Sequence, residues 1–165
     1  MKAFLSLVLL LALVPATALA RTSDRNKPML IDAGRGDLFL DDSRPTTLSG
    51  GVVITQGTLE IRANQAVIYS ANGDPVRVVL TGSPVTLRQE LDDGRQMDAV
   101  ANKVDYDLKT EIVVFTGAVN IRQPTGSIAG ERVVYNMKTG QVQGGGQDAG
   151  RVKIRILPKN AQGGG

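Results

Sequence analysis

The sequence predicts an all-β fold made of repeated antiparallel strand pairs, a sandwich, barrel or jelly roll. Three observations carry that prediction. First, a short phrase recurs four times: an apolar residue, a small polar residue or Gln, a Gly, then an alternating run. It is Leu48-Ser49-Gly50 before Val52–Gln56, Leu80-Thr81-Gly82 before Val85–Gln89, Phe115-Thr116-Gly117 before Val119–Gln123, and Val142-Gln143-Gly144 before Val152–Ile156. Self-similarity at a period of about 30 residues marks a repeat architecture, with the Gly of each copy read as letting the chain enter a strand. Second, apolar and polar residues alternate with period two, between turn signals about 8–12 residues apart. Third, no segment carries a convincing helical pattern.

Each element can be justified in order. Pro28–Ile31 opens the ordered part, with Met29, Ile31 and Ala33 on one side of a strand interrupted at Gly34 and Gly36. Asp41–Pro45 is turn chemistry. In the first repeat, Val52 and Ile54 share a face, and Gln56-Gly57 turns the chain. Leu59, Ile61 and Ala63 then alternate with Glu60, Arg62 and Asn64, and Val67 and Tyr69 continue the pattern. Asn72–Pro75 closes that unit. The second repeat carries Leu80, Val85 and Leu87. Its Pro84 is expected only at an edge or a strand start. After the loop Asp92–Arg95, Met97, Val104, Tyr106 and Leu108 return. The third has Ile112–Phe115, Val119 and Ile121, a turn at Pro124–Gly126, then Ile128, Val133 and Tyr135. The last unit, Gln141–Pro158, contains a glycine insert, Gly144–Gly146, read as a flexible loop. The units are expected to stack, each burying its apolar face against the next.

The N-terminus reads as a secretory signal. Lys2 precedes the apolar run Ala3–Val14, which is short for a membrane span, and Ala18-Leu19-Ala20 is a small-x-small cleavage site. The expected organisation is a signal peptide at 1–20, a mobile leader at 21–27, one β domain at 28–158 and a disordered tail at 159–165. An uncleaved anchor is the competing reading, opposed by Pro15. Cleavage after Ala20 implies export, and the absence of Cys means no disulfide supports the exported fold. Removing Lys2 leaves 18 basic against 16 acidic side chains, too mild a balance to argue for nucleic acid.

Composition narrows the chemistry. With no His and no Cys, the Ser-His-Asp arrangement, thiol nucleophiles and the commonest metal ligand are excluded. No phosphate-binding G-x-x-x-x-G-K-[ST] loop occurs. A carboxylate pair of the glycosidase type survives on paper as Asp41-Asp42 or Asp92-Asp93, but both lie beside turn residues. No catalytic, metal or cofactor site is therefore expected. The markers Val52/Ile54, Val85/Leu87, Val119/Ile121 and Val152/Ile154 have two readings: an ordinary core, or the lining of an incompletely closed groove suited to acyl chains.

Two stretches carry a family resemblance: Pro28–Ala33, and Ser49–Ala63 with its Val-Val-Ile-Thr-Gln-Gly-Thr-Leu run. Thr116–Val119 and Gly130–Tyr135 add to it. Together they resemble the OstA-like family of Gram-negative bacteria, over about Asn26 to Pro158. The resemblance implies an open, twisted β-jelly roll in the periplasm that holds the lipid A acyl chains of lipopolysaccharide. It implies a head-to-tail homo-oligomer joined through terminal strands, bridging LptC at the inner membrane to LptD–LptE at the outer. The implied lipid-binding residues are Met29, Ile31, Leu87, Tyr106 and Leu108. Arg62, Arg88 and Arg122 are read either as solubilising surface or as contacts to lipid phosphates. A membrane-tethered LptC-like relative, a secreted polysaccharide-active β-protein and a purely structural repeat assembly are the alternatives.

Overall fold

The computed structural model describes residues 24, 26–39, 41–146 and 149–158. The expected signal peptide and tail lie outside the described residues, as do 21–23 and 25 of the expected leader. Nine strands follow one another in chain order: β1 (Leu30–Asp37), β2 (Thr46–Gln56), β3 (Leu59–Ala71), β4 (Asp74–Glu90), β5 (Gln96–Asp107), β6 (Ile112–Gln123), β7 (Gly126–Asn136), β8 (Val142–Gly144) and β9 (Lys153–Ile156). Each strand pairs antiparallel with the next as far as β8, and β9 also joins β7. β8 covers Val133–Tyr135 and β9 covers Gly126–Ala129, so the two are pieces of one interrupted edge. The sheet is open, with β1 at one end and β8 and β9 at the other.

The repeated glycine phrase does not start strands, as the sequence reading held; it sits inside them. Every long strand is broken in the middle by a shift of register. On β2 the break lies between Ser49 and Val52, on β4 between Thr81 and Val85, and on β6 between Thr116 and Val119. Opposite them stand breaks at Ala33/Arg35, Arg62/Gln65 and Val100/Lys103. In the fourth copy the interruption is longest, from Gly145 to Val152 between β8 and β9. A bulge leaves residues unpaired and bends the strand. Glycine suits it because Gly50, Gly51 and Gly117 have φ of 78°, 86° and 79°. A Cβ on Gly34 would stand 2.7 Å from the Gly50 carbonyl oxygen, so the chains also approach closely here. Pro84 lies inside central β4, not at an edge or strand start, because it falls in this unpaired stretch and removes no ladder donor.

The bulges explain which residues face inward. A one-residue bulge reverses the alternation, so in β3 the buried set passes from Ile61 and Ala63 to Ala66. Val67 and Tyr69, expected to continue the inward face, therefore point the other way, and Tyr69 is exposed. On one side of the bulge line, a cross-strand row runs Ile31–Ile54–Ile61–Leu87–Ala99–Ile121–Ile128–Ile154. On the other runs Leu48–Ala66–Leu80–Val104–Phe115–Val133, in which no residue is more than 7% exposed. The repeats thus do not stack face on face. They join edge to edge in one sheet whose two halves share a single apolar core.

Ion pairs lie on the outer surface. Arg77 Nε donates to Asp105 at 2.8 Å across β4 and β5, which holds the Asp105 carboxyl below its ordinary range. Asp41 and Asp42 serve turns: Asp41 accepts from the Ser43 N–H, Asp42 from the Gly73 N–H. Asp93 likewise accepts from the Arg95 N–H.

Phe115, 1% exposed, is the largest fully buried side chain. Phe115→Ala should cost about 3–5 kcal/mol. Urea unfolding should show a lower midpoint with an unchanged slope. A loss near zero would mean that this row is not the core.

Candidate functional site

Between the two halves lies a narrow cavity of about 80 Å³. Ile54, Leu59, Ile61, Leu87 and Met97 line it from one half. Val78, Leu80, Val104, Tyr106, Phe115 and Tyr135 line it from the other. The wall is apolar apart from Asp24, Gln56, Gln89 and the two tyrosines. Such a surface offers dispersion contact and removal from water but few fixed hydrogen-bonding partners, which matches flexible alkyl chains. Among the described residues, no group of three or more His, Cys, Asp or Glu could hold a metal ion.

One part of the wall comes from the segment before β1. Asp24, in the expected leader, is only 2% exposed. Its Oδ2 accepts from the Thr58 N–H at 3.0 Å and from the Thr58 hydroxyl. Thr58 Oγ1 in turn accepts from the Glu90 N–H at 3.2 Å, tying the β2–β3 turn to the end of β4. The carboxylate rests against Gly57, where a Cβ would fall 2.1 Å from Oδ1, so this turn position must be glycine. Oδ1 is buried without a hydrogen bond among the described residues, and Lys27 Nζ lies 4.0 Å from it. Gln56 Nε2 donates to the Lys27 carbonyl at 3.0 Å and holds the same segment.

The expected lipid-binding residues fall in two groups. Met29, Leu87 and Tyr106 are on the cavity wall. Ile31 is 41% exposed on edge strand β1, paired with Ile54, and is not on that wall. Leu108, just beyond β5, packs against the core outside the cavity. Sequence reasoning missed Gln89, Met137 and Asp24 as wall residues. Gln89 could have been found by extending the Val85, Leu87 alternation by two. Asp24 left no signal, since its burial depends on a turn 34 residues away.

Fold and cavity together define a class: an open antiparallel sheet, bent along a line of bulges around an apolar interior. The chain belongs to the family described as LptA/(LptD N-terminal domain) LPS transport protein, whose model matches residues 33–141. It is 34% identical over 155 residues to the lipopolysaccharide export system protein LptA of Haemophilus influenzae, covering 92% of this chain and 90% of that one. It is 30% identical to LptA of Escherichia coli K12 over 165 residues, covering 98% and 89%. The crystal structure of LptH, the LptA homologous periplasmic component of the lipopolysaccharide transport device of Pseudomonas aeruginosa, superposes with a TM-score of 0.71 at 25% identity. That match covers 82% of this chain and 99% of the other.

Thr58→Val would remove a donor from buried Asp24 and an acceptor from Glu90. The N-terminal segment should loosen by about 1–3 kcal/mol. Hydrogen exchange at Met29 and Leu30 should quicken at least about fivefold, with Val133 unchanged. Unchanged exchange at Met29 and Leu30 would mean that Asp24 does not hold this segment.

Proposed function

We propose that this chain is a periplasmic lipopolysaccharide carrier of the LptA type, holding lipid A acyl chains in the cavity while the sugars stay in water. The observation that carries this reading is the apolar space built jointly by both halves of the sheet. Each methylene moved into it contributes about 0.8 kcal/mol without a directional partner. A chain can therefore slide as well as bind, and transfer can be passive, with the driving energy supplied elsewhere. The proposed lipid-binding set is Met29, Leu87 and Tyr106 on the wall, with Ile31 and Leu108, both off that wall, as its finer part.

The two sheet ends are the proposed partner sites. One edge presents Leu30 and Ile31 of β1 with Met29 just before it, and the opposite edge presents Val142, Ile154 and Ile156, all at least 40% exposed. Unpaired edges of this kind invite strand addition. Copies of the chain would join head to tail, with LptC and LptD–LptE meeting the outermost edges. The reading includes export with cleavage after Ala20.

Photo-crosslinking in cells tests the cavity. A photoreactive residue at Leu87 or Tyr106 should capture lipopolysaccharide, while one at Thr86, on the opposite face of β4, should not. Equal capture at all three positions would sink the groove.

A further inference from the structure

A second cleft, of about 140 Å³, is lined by Arg122, Gln123, Gly126, Ser127, Arg155 and Leu157. It sits at the end of a charged cross-strand row, Glu60–Arg88–Asp98–Arg122–Ser127–Arg155. The row alternates in sign up to Arg122, as cross-strand neighbours should. Arg88 Nε binds Asp98 at 3.0 Å, and Glu60 accepts from Arg62 Nε at 2.8 Å. Then the alternation fails. Ser127 stands where a carboxylate would continue it, with an arginine on either side. Among the described residues, neither Arg122 nor Arg155 forms an ion pair. Arg122 and Arg155 thus stand on alternate strands, about 10 Å apart at the backbone, beside a cleft that Ser127 also lines. An anion between them would meet a positive charge on either side.

We infer that this cleft is a phosphate-binding site, with Arg122 and Arg155 clamping the anion and the Ser127 hydroxyl donating to it. Arginine suits this task because its planar fork meets two phosphate oxygens at once. The anion is a phosphate monoester on a lipid headgroup or free inorganic phosphate. Only the headgroup source rests on the carrier reading above; the cleft itself does not.

The test uses the mature chain and the variant Ser127→Asp, which supplies the missing carboxylate and should fold at least as stably. Inorganic phosphate is titrated at constant ionic strength, with chloride as control, and followed by 15N NMR. The wild type should show saturable shifts at the Gly126 and Ser127 amides and at the arginine Nε signals. Ser127→Asp, Arg122→Gln and Arg155→Gln should lose them. Absence of saturation in the wild type, or equal shifts in Ser127→Asp, would overturn the site. A second arm measures capture of lipopolysaccharide and of its dephosphorylated form. A roughly tenfold weakening in Ser127→Asp for the phosphorylated form alone assigns the site to the headgroup. Equal capture of both forms, with the phosphate titration still lost, assigns it to free phosphate. Saturable phosphate shifts in a wild type that captures neither lipid would retire the carrier reading and leave the anion site standing.

Discussion

A line of bulges crosses this sheet from β1 to the gap between β8 and β9, and the rest of the molecule depends on it. Long antiparallel strands joined only to their neighbours would otherwise form a twisted ribbon with one apolar face in water. Breaking each strand at the same level lets the sheet bend there, so both halves turn apolar residues toward a common interior. The row through Phe115 and Leu80 on one side of the line and the row through Ile54 and Leu87 on the other both border the cavity. Glycine recurs at this level because the bend needs positive φ at Gly50, Gly51 and Gly117 and close backbone approach at Gly34.

The same architecture leaves the fold unclosed. A barrel would hide its edges, whereas here apolar side chains remain exposed at both terminal strands. Cavity and open edges both follow from a sheet that bends along the bulge line without closing on itself. Charge is confined to the outside, where Arg77–Asp105 and Arg88–Asp98 link neighbouring strands. Being largely exposed, such pairs fix register more than they stabilise. Asp24 is the exception, a buried carboxylate set into the apolar wall and held by Thr58.

Much of the fold was legible because period-two alternation and turn residues are local signals. Val52/Ile54, Val85/Leu87 and Val119/Ile121 do share one inner face, and Ile154 ends their row. The bulges were not legible as bulges. A glycine within a strand and a glycine at its start look alike in one dimension, so the repeated phrase read as a strand entry. The same ambiguity reversed the assignment of Val67 and Tyr69, because one unpaired residue at Asn64 shifts every later side chain to the other face. Met29, Leu87 and Tyr106 reached the cavity wall, yet Asp24 could not be foreseen, since only the folded β2–β3 turn buries it.

The central claim is that one apolar interior, lined from both halves, receives the acyl chains. Paramagnetic relaxation from a lipid spin-labelled on its acyl chain tests it directly. The account predicts simultaneous broadening at Leu87 and Met97 on one half and at Val104 and Phe115 on the other, stronger than at the edge residues Leu30, Ile154 and Ile156. Broadening confined to the exposed edge residues Leu30, Ile154 and Ile156 would contradict it.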